Sequence, residues 1–255
     1  MIRFTVATVT YNAETTINRT LHSVAEQSHT AVEHIIIDGC STDATMHHVQ
    51  RYVEHNCDQS HPHNIILIRE PDTGIYDAMN KAINAAHGDY IIFLNAGDTF
   101  HSPDTLAKAA EQAEGHPAVL YGETDIVDDK GHFIRHRRLQ APQTLRSNSF
   151  LAGMLVCHQS FYVRTDFARA HPYNLRWRFS ADYDWCIRIM KSAERRMQPL
   201  HNTGLILTDY LCEGLTTRNH RKSLVERLRI MAEHYGWLRA LTAHLWFVVR
   251  AVIRR

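Results

Sequence analysis

The chain has 255 residues, 44% hydrophobic and 22% charged, which excludes a disordered or fibrous protein and supplies enough apolar surface for one full α/β core. Its net charge of +1 is unevenly divided: from Arg218 onward nine Lys or Arg stand against two Asp or Glu, so the last stretch carries +7 and the remainder −6. Five cysteines without CxxC spacing argue against a disulfide framework, no run of about eighteen apolar residues occurs, and no secretory leader precedes the opening strand, so a cytoplasmic location is expected.

Strand-like and helix-period segments alternate through the first hundred residues. FTVATV at 4–9 predicts a strand, followed by a helix from about residue 14, and HIIID at 34–38 predicts a second, with a helix from about 42. NIILI at 64–68 is a third, with a helix from about 75, and YIIFL at 90–94 a fourth. These are continuous apolar runs, as crossover helices on both faces produce, so a mostly parallel sheet flanked by helices is expected. Beyond Thr99 the pattern loosens: a helix near 103–114, a strand AVLYG at 118–122, and a hairpin turning at 129–131. This second half is expected to be more irregular and antiparallel, with mobile loops over about 140–177. A helix from 182 to about 195 and a strand GLILTDY at 204–210 follow.

Ligands of such sheets bind beyond the carboxyl ends of the strands, which puts attention on TYNAE, DGCSTD, EPDTGIYD and NAGDT. Asp38 ends a strand, Gly39 permits a tight turn, Ser41 or Thr42 can cap the next helix, and Asp43 lies in its first turn. Capping and turn formation account for isolated pairs of this kind. A second acidic strand end at Asp98 adds the other reading, in which clustered carboxylates hold a hard divalent cation shared with substrate phosphates. Neither GxGxxG nor GxxxxGK[ST] occurs, which sets aside dinucleotide enzymes and P-loop NTPases.

Five blocks in order, TVTYNAE with TLHSVAEQ, HIIIDGCSTDAT, EPDTGIYDAMNKAINAAHGDYIIFLNAGD, HQSFYVR and SADYDWCIRI, resemble the inverting family 2 glycosyltransferases of GT-A fold, especially bacterial enzymes of exopolysaccharide and colanic-acid type. The resemblance covers residues 4 to about 190. It implies a nucleotide-sugar half at 1–100 and an acceptor half at 101–215, and the residues that follow read as a basic helical tail at 216–255. It places the nucleoside at Thr10, Tyr11 and Asp38, whose carboxylate would accept a hydrogen bond from the base, with Asp77 and Lys81 nearby. It assigns a divalent cation, Mg2+ or Mn2+, to Asp98, with Asn95 offering an oxygen. The family's metal motif usually reads Asp-x-Asp, whereas this chain has Asn95-Ala96-Gly97-Asp98, so weak metal binding is expected. Asp182 matches the family's general base, and His158 would face the acceptor or diphosphate.

Each assignment has a structural alternative. Asp77 and Lys81 can form an i,i+4 ion pair, Asp182 can be a carboxylate favoured at a helix N-terminus, and His158 can be a hydrogen-bonded structural histidine. Asp184 falls on another helix face and reads as structural. In the tail, Leu238, Leu241, Leu245, Val248, Val249 and Val252 recur at helical spacing, flanked by Trp237 and Trp246 and by Arg239, Arg250, Arg254 and Arg255. That pattern fits a helix lying in a membrane interface or one packed on protein. Nucleic acid is not an expected partner, because no reading module accompanies the charge. The expected partners are a UDP-sugar donor and a saccharide or lipid-linked acceptor. The rival functions are a sugar nucleotidyltransferase, for which the Gly-rich basic loop is missing, and a silent nucleotide-sugar-binding module.

Overall fold

The computed structural model describes residues 1–58, 62–212 and 220–253, with side chains throughout except at 220–221 and 248–253. The expected βαβ series forms: β1 (Phe4–Thr10), α1 (Ile17–Ala25), β2 (Val32–Asp38), α2 (Thr45–Cys57), β3 (Asn64–Arg69), α3 (Ile75–Ala85) and β4 (Tyr90–Phe93). β1 pairs in parallel with β2 on one side and β4 on the other, and β2 pairs with β3. Alternate residues of these strands serve opposite faces. Ala7, Val9, Ile35, Ile37, Ile91 and Phe93 enter one core cluster, while Phe4, Val6, Val32, Tyr90 and Ile92 enter another. This double burial is why the runs carry apolar residues on both faces, with Thr5, Thr8, Glu33 and His34 as buried polar exceptions. β3 differs, being partly exposed along its length because it closes one edge of the sheet.

The second half contributes β5 (Thr99–Phe100), α4 (Thr105–Glu111), β6 (Val119–Val127), β7 (Phe133–His136), β8 (Phe161–Arg164), α5 (Thr165–Ala170), α6 (Ala181–Arg195) and β9 (Leu200–Leu211). α7 (His220–Tyr235) and α8 (Trp237–Ile253) follow. The sheet runs β3-β2-β1-β4-β8-β6-β9-β5, with β7 beside β6. The expected antiparallel character holds for β4–β8, β6–β8, β6–β7 and β5–β9, whereas β6 and β9 are parallel.

The expectation of mobile loops over 140–177 is corrected. That stretch holds two 3₁₀ turns, Ser147–Ala152 and His158–Ser160, and then β8, whose Phe161, Tyr162 and Val163 are fully buried between β4 and β6. Four residues paired only with distant strands carry no periodicity to read. Nor is α7 an appendage, since Ile230, Met231 and Ala232 sit in the same core cluster as Trp185 and Ile187 of α6. Val248, Val249, Val252 and Arg250 lie outside the described side chains, and Arg254 and Arg255 outside the described residues.

Candidate functional site

The chain turns from β1 through β2 to β3 on one side and then to β4 on the other, so the crevice beyond these strand ends is a topological switch point. Thr10, Asp38 and Arg69 stand side by side in register at its floor. Asp38 is fully buried. It accepts hydrogen bonds from Ser41 N at 3.0 Å and Ser41 Oγ at 2.5 Å and pairs with Arg69 Nε at 3.3 Å. These contacts hold the loop, and with one bond to Oδ1 and two to Oδ2 they leave one of the roughly four acceptor positions of the carboxylate open on Oδ1. They also take Ser41 away from capping α2. Asp43 bonds Thr45 N and Glu14 N, which ties the loops after β1 and β2 together. Thr10 Oγ1 is buried without a partner, and Tyr11 is exposed. A Cβ at Gly39 would lie 2.4 Å from Asp72 Oδ2 and 3.4 Å from the Tyr11 ring, so a side chain there would push the Asp72 carboxylate off the turn.

Asp77 and Lys81 do not pair with each other. Asp77 Oδ2 accepts from Thr73 N at 2.9 Å and Thr73 Oγ1 at 3.2 Å, while Lys81 Nζ bonds Pro71 O at 2.6 Å and Glu70 Oε1 at 3.0 Å. Both fasten the EPDTG loop onto α3 at the crevice wall.

Across β1, the loop after β4 is threaded on Thr20 of α1, whose Oγ1 donates to Asp98 O and accepts from Gly97 N. Gly97 has φ +107°, and a Cβ there would lie 2.7 Å from Leu211 Cδ2, which explains why no acidic side chain occupies this position. Asp98 is buried, its carboxylate bonded by Gln159 Nε2 at 2.9 Å and Leu211 N at 3.1 Å. Burial raises its pKa to about 6, against the lowering effect of those hydrogen bonds. Asn95 Oδ1 is buried with no partner. A buried carboxylate with an orphaned amide oxygen on the same loop fits a hard cation.

Asn95 also joins this loop to Asp182. Its Nδ2 stands 3.4 Å from His158 Nε2, and His158 Nδ1 stands 3.5 Å from Asp182 Oδ2. Tyr76 of α3 donates to the other oxygen, Oδ1, at 3.1 Å. Burial works against the charge of Asp182, but the hydrogen bond and charge of His158, with Arg227 helping, outweigh it and hold the carboxyl below its ordinary range. Asp182 is therefore ionised at neutral pH and able to accept a proton.

The glycosyl transferase family 2 model matches residues 5–170. The chain belongs to this family. A PGL/p-HBAD biosynthesis glycosyltransferase of Mycobacterium bovis is 32% identical over 188 residues, 72% of this chain and 68% of the relative. The fold resembles that of S. aureus TarS 1-349 in complex with UDP-GlcNAc, with a TM-score of 0.70 at 17% identity over 96% of this chain and 73% of that one. It also resembles the mannosyltransferase of Pyrobaculum calidifontis in complex with GDP-Man and Mn2+, with a TM-score of 0.60 at 18% identity over 95% and 74%.

In this glycosyltransferase the helix carrying Asp182 is fixed from the C-terminal segment. Glu226 of α7 accepts from the backbone N–H groups of Arg178, Phe179 and Ser180, just before α6, at 2.8 to 3.0 Å. Asp184 is buried between Arg188 Nε and His234 Nε2, both at 2.7 Å, so its structural role holds. Beneath Asp182, Tyr76 stacks on Tyr173 and Tyr173 on Trp185. Tyr76, Gln159 and Glu226 carry no signature in the sequence. Gln159 adjoins His158, and Glu226 is one of only two acids in the basic tail, which are the faint signals that point to them.

A second group of possible ligands lies apart from Asp98. His101, Asp125 and Asp209 bring ligand atoms within 4.8 Å of one another, but His101 already bonds Asp209 and His136 bonds Asp125, each at 2.8 Å. A cavity of about 340 Å³ bordered by Arg19, Phe100, His101 and Asp209 includes none of Asp38, Asp98, His158 or Asp182, so it is distinct from the strand-end crevice.

Proposed function

We propose that this glycosyltransferase inverts configuration at the sugar it transfers, from a UDP-sugar to a hydroxyl of a saccharide or lipid-linked acceptor in cell-surface glycan synthesis. The observation that carries the reading is the chain Asn95–His158–Asp182–Tyr76, which joins the loop after β4 to an ionised carboxylate at the head of α6. Asp182 takes the proton of the acceptor hydroxyl. Its oxygen then attacks the anomeric carbon as the bond to the diphosphate breaks and the electron pair leaves with the diphosphate. Tyr76 and His158 aim the carboxylate, and the positive ends of the α6 backbone dipoles favour its charge.

The nucleoside rests on Thr10 and Tyr11 in the crevice organised by Asp38, Asp77 and Lys81. Asp98 and Asn95 would hold the divalent cation, which supplies positive charge to the departing diphosphate. Relatives support the donor and cation: the TarS structure carries UDP-GlcNAc, and the Pyrobaculum calidifontis structure carries GDP-Man and Mn2+. The name of the Mycobacterium bovis relative, PGL/p-HBAD biosynthesis, supports a glycolipid or surface-glycan product.

Asp182→Asn tests the base directly. Turnover should fall about 10²- to 10⁴-fold while the donor still raises the melting temperature as in the parent. Turnover within tenfold of the parent would show that another group takes the proton.

A further inference from the structure

α8 has two apolar faces, and folding accounts for only one. On the inner face Ala240 is fully buried, and Ala243 and Phe247 pack on the main core cluster beside Phe150 of the 3₁₀ turn Ser147–Ala152. On the outer face Trp237, Leu238, Leu241 and Leu245 fall within about 100° of arc, and Trp246 stands about 80° beyond it. Each of these five is more than half exposed. Single exposed apolar side chains are ordinary, whereas a stripe of four with a fifth flanking it marks an interaction surface.

Charge identifies what covers it. From Arg218 onward the chain carries +7, and its two acids are paired within the chain, Glu226 with the backbone before α6 and Glu233, itself exposed, with Arg176. Arg229 and Arg239 are exposed, and no carboxylate among the described residues pairs with either. A second copy seated on this stripe would bring two such basic segments together, which is unfavourable. No helix among the described residues is long and apolar enough to cross a membrane, so the stripe does not span one. Tryptophans at both ends of a leucine stripe, with arginines alongside, suit the boundary between headgroups and acyl chains.

We propose that α8 docks this protein on an anionic lipid bilayer, lying in the interface with Trp237, Leu238, Leu241, Leu245 and Trp246 inserted and the arginines against acidic headgroups. The docking is independent of the transfer reaction.

Truncation after Gly236 is a poor test, because it removes Ala240 and Phe247 from the core. The full chain should instead be sedimented with vesicles of phosphatidylcholine, alone or with about one-third phosphatidylglycerol. Binding should require the anionic lipid and weaken with added salt. Leu241→Asp with Leu245→Asp should reduce affinity at least tenfold, at an unchanged melting temperature. Arg239→Glu should reduce it several-fold. A second signal comes from the chain itself: of its four tryptophans, Trp177 and Trp185 are buried, so emission quenched by brominated lipid reports Trp237 and Trp246. The proposal is overturned if anionic vesicles neither pellet the protein nor quench it. It is equally overturned if the double variant binds as the parent does, or if the parent is a dimer that Leu241→Asp splits.

Discussion

At the ends of β1, β2 and β3 the polar side chains are held by near neighbours. Ser41 bonds Asp38 three residues back, Asp77 bonds Thr73 four back, and Arg69 sits one strand from Asp38. Asp182 is held by partners from everywhere else: Tyr76 is 106 residues away, and the backbone before α6 is fastened by Glu226 more than forty residues later. The proposed donor crevice is thus assembled from successive loops tied to one another across about thirty residues, whereas the proposed base depends on α3, the turn at His158 and α7 arriving together. Substitutions in the first region should therefore change donor affinity, and substitutions in the second should change turnover or stability.

The severest test of that division is Asp184→Ala. Removing this buried carboxylate, which leaves Arg188 and His234 without their partner, should destabilise the fold by about 3–5 kcal/mol, measured by urea unfolding, and should lower turnover through α6. Burial opposes the charge of Asp184, but the His234 hydrogen bond and Arg188 outweigh it and depress its folded pKa. Its stabilisation is then present above the unfolded value of about 3.9 and is lost as pH falls through the lower folded one, so parent and variant should converge in acid.

Asp98 has the opposite sign. It holds a proton up to about 6 when folded and only to about 3.9 when unfolded, so without added cation the protein should gain stability as pH falls from about 6 to about 4. The gain should be on the order of 3 kcal/mol at most, and Asp98→Asn should flatten it. A parent curve already as flat as that of the variant would remove Asp98 from its low-dielectric setting.

Tyr76→Phe deletes one hydrogen bond to an ionised carboxylate and should lower kcat roughly tenfold with donor affinity unchanged. A change in donor affinity instead would break the division between the two regions. The smallest effect is expected from Lys81→Ala. It frees the EPDTG loop at the cost of a partly exposed ion pair, so stability should shift by less than about 1 kcal/mol while donor affinity weakens.

The same contrast explains what could be read from the residues. The parallel strands were legible because two-sided burial puts apolar residues on both faces, and the crevice because its acids stand at strand ends. His158 and Asp182 could be named from neighbouring motif residues, yet the contact between them arises only when β8 inserts beside β4. That insertion rests on four residues without periodicity. The acids missing from the NAGD motif were visible too, but the reason for one of them, Leu211 lying where a Gly97 side chain would go, belongs to a strand more than a hundred residues later.

The grip of Glu226 on Arg178, Phe179 and Ser180 also sets an order in time. A nascent chain emerging at about 5–20 residues per second can complete β1 to β4 and their loops long before α7 leaves the ribosome. The strand-end crevice is finished early, while the helix bearing Asp182 lacks its anchor until α7 is made. On this account a chain stalled before α7 should retain nucleotide without transferring sugar, so reactivity is acquired later than binding.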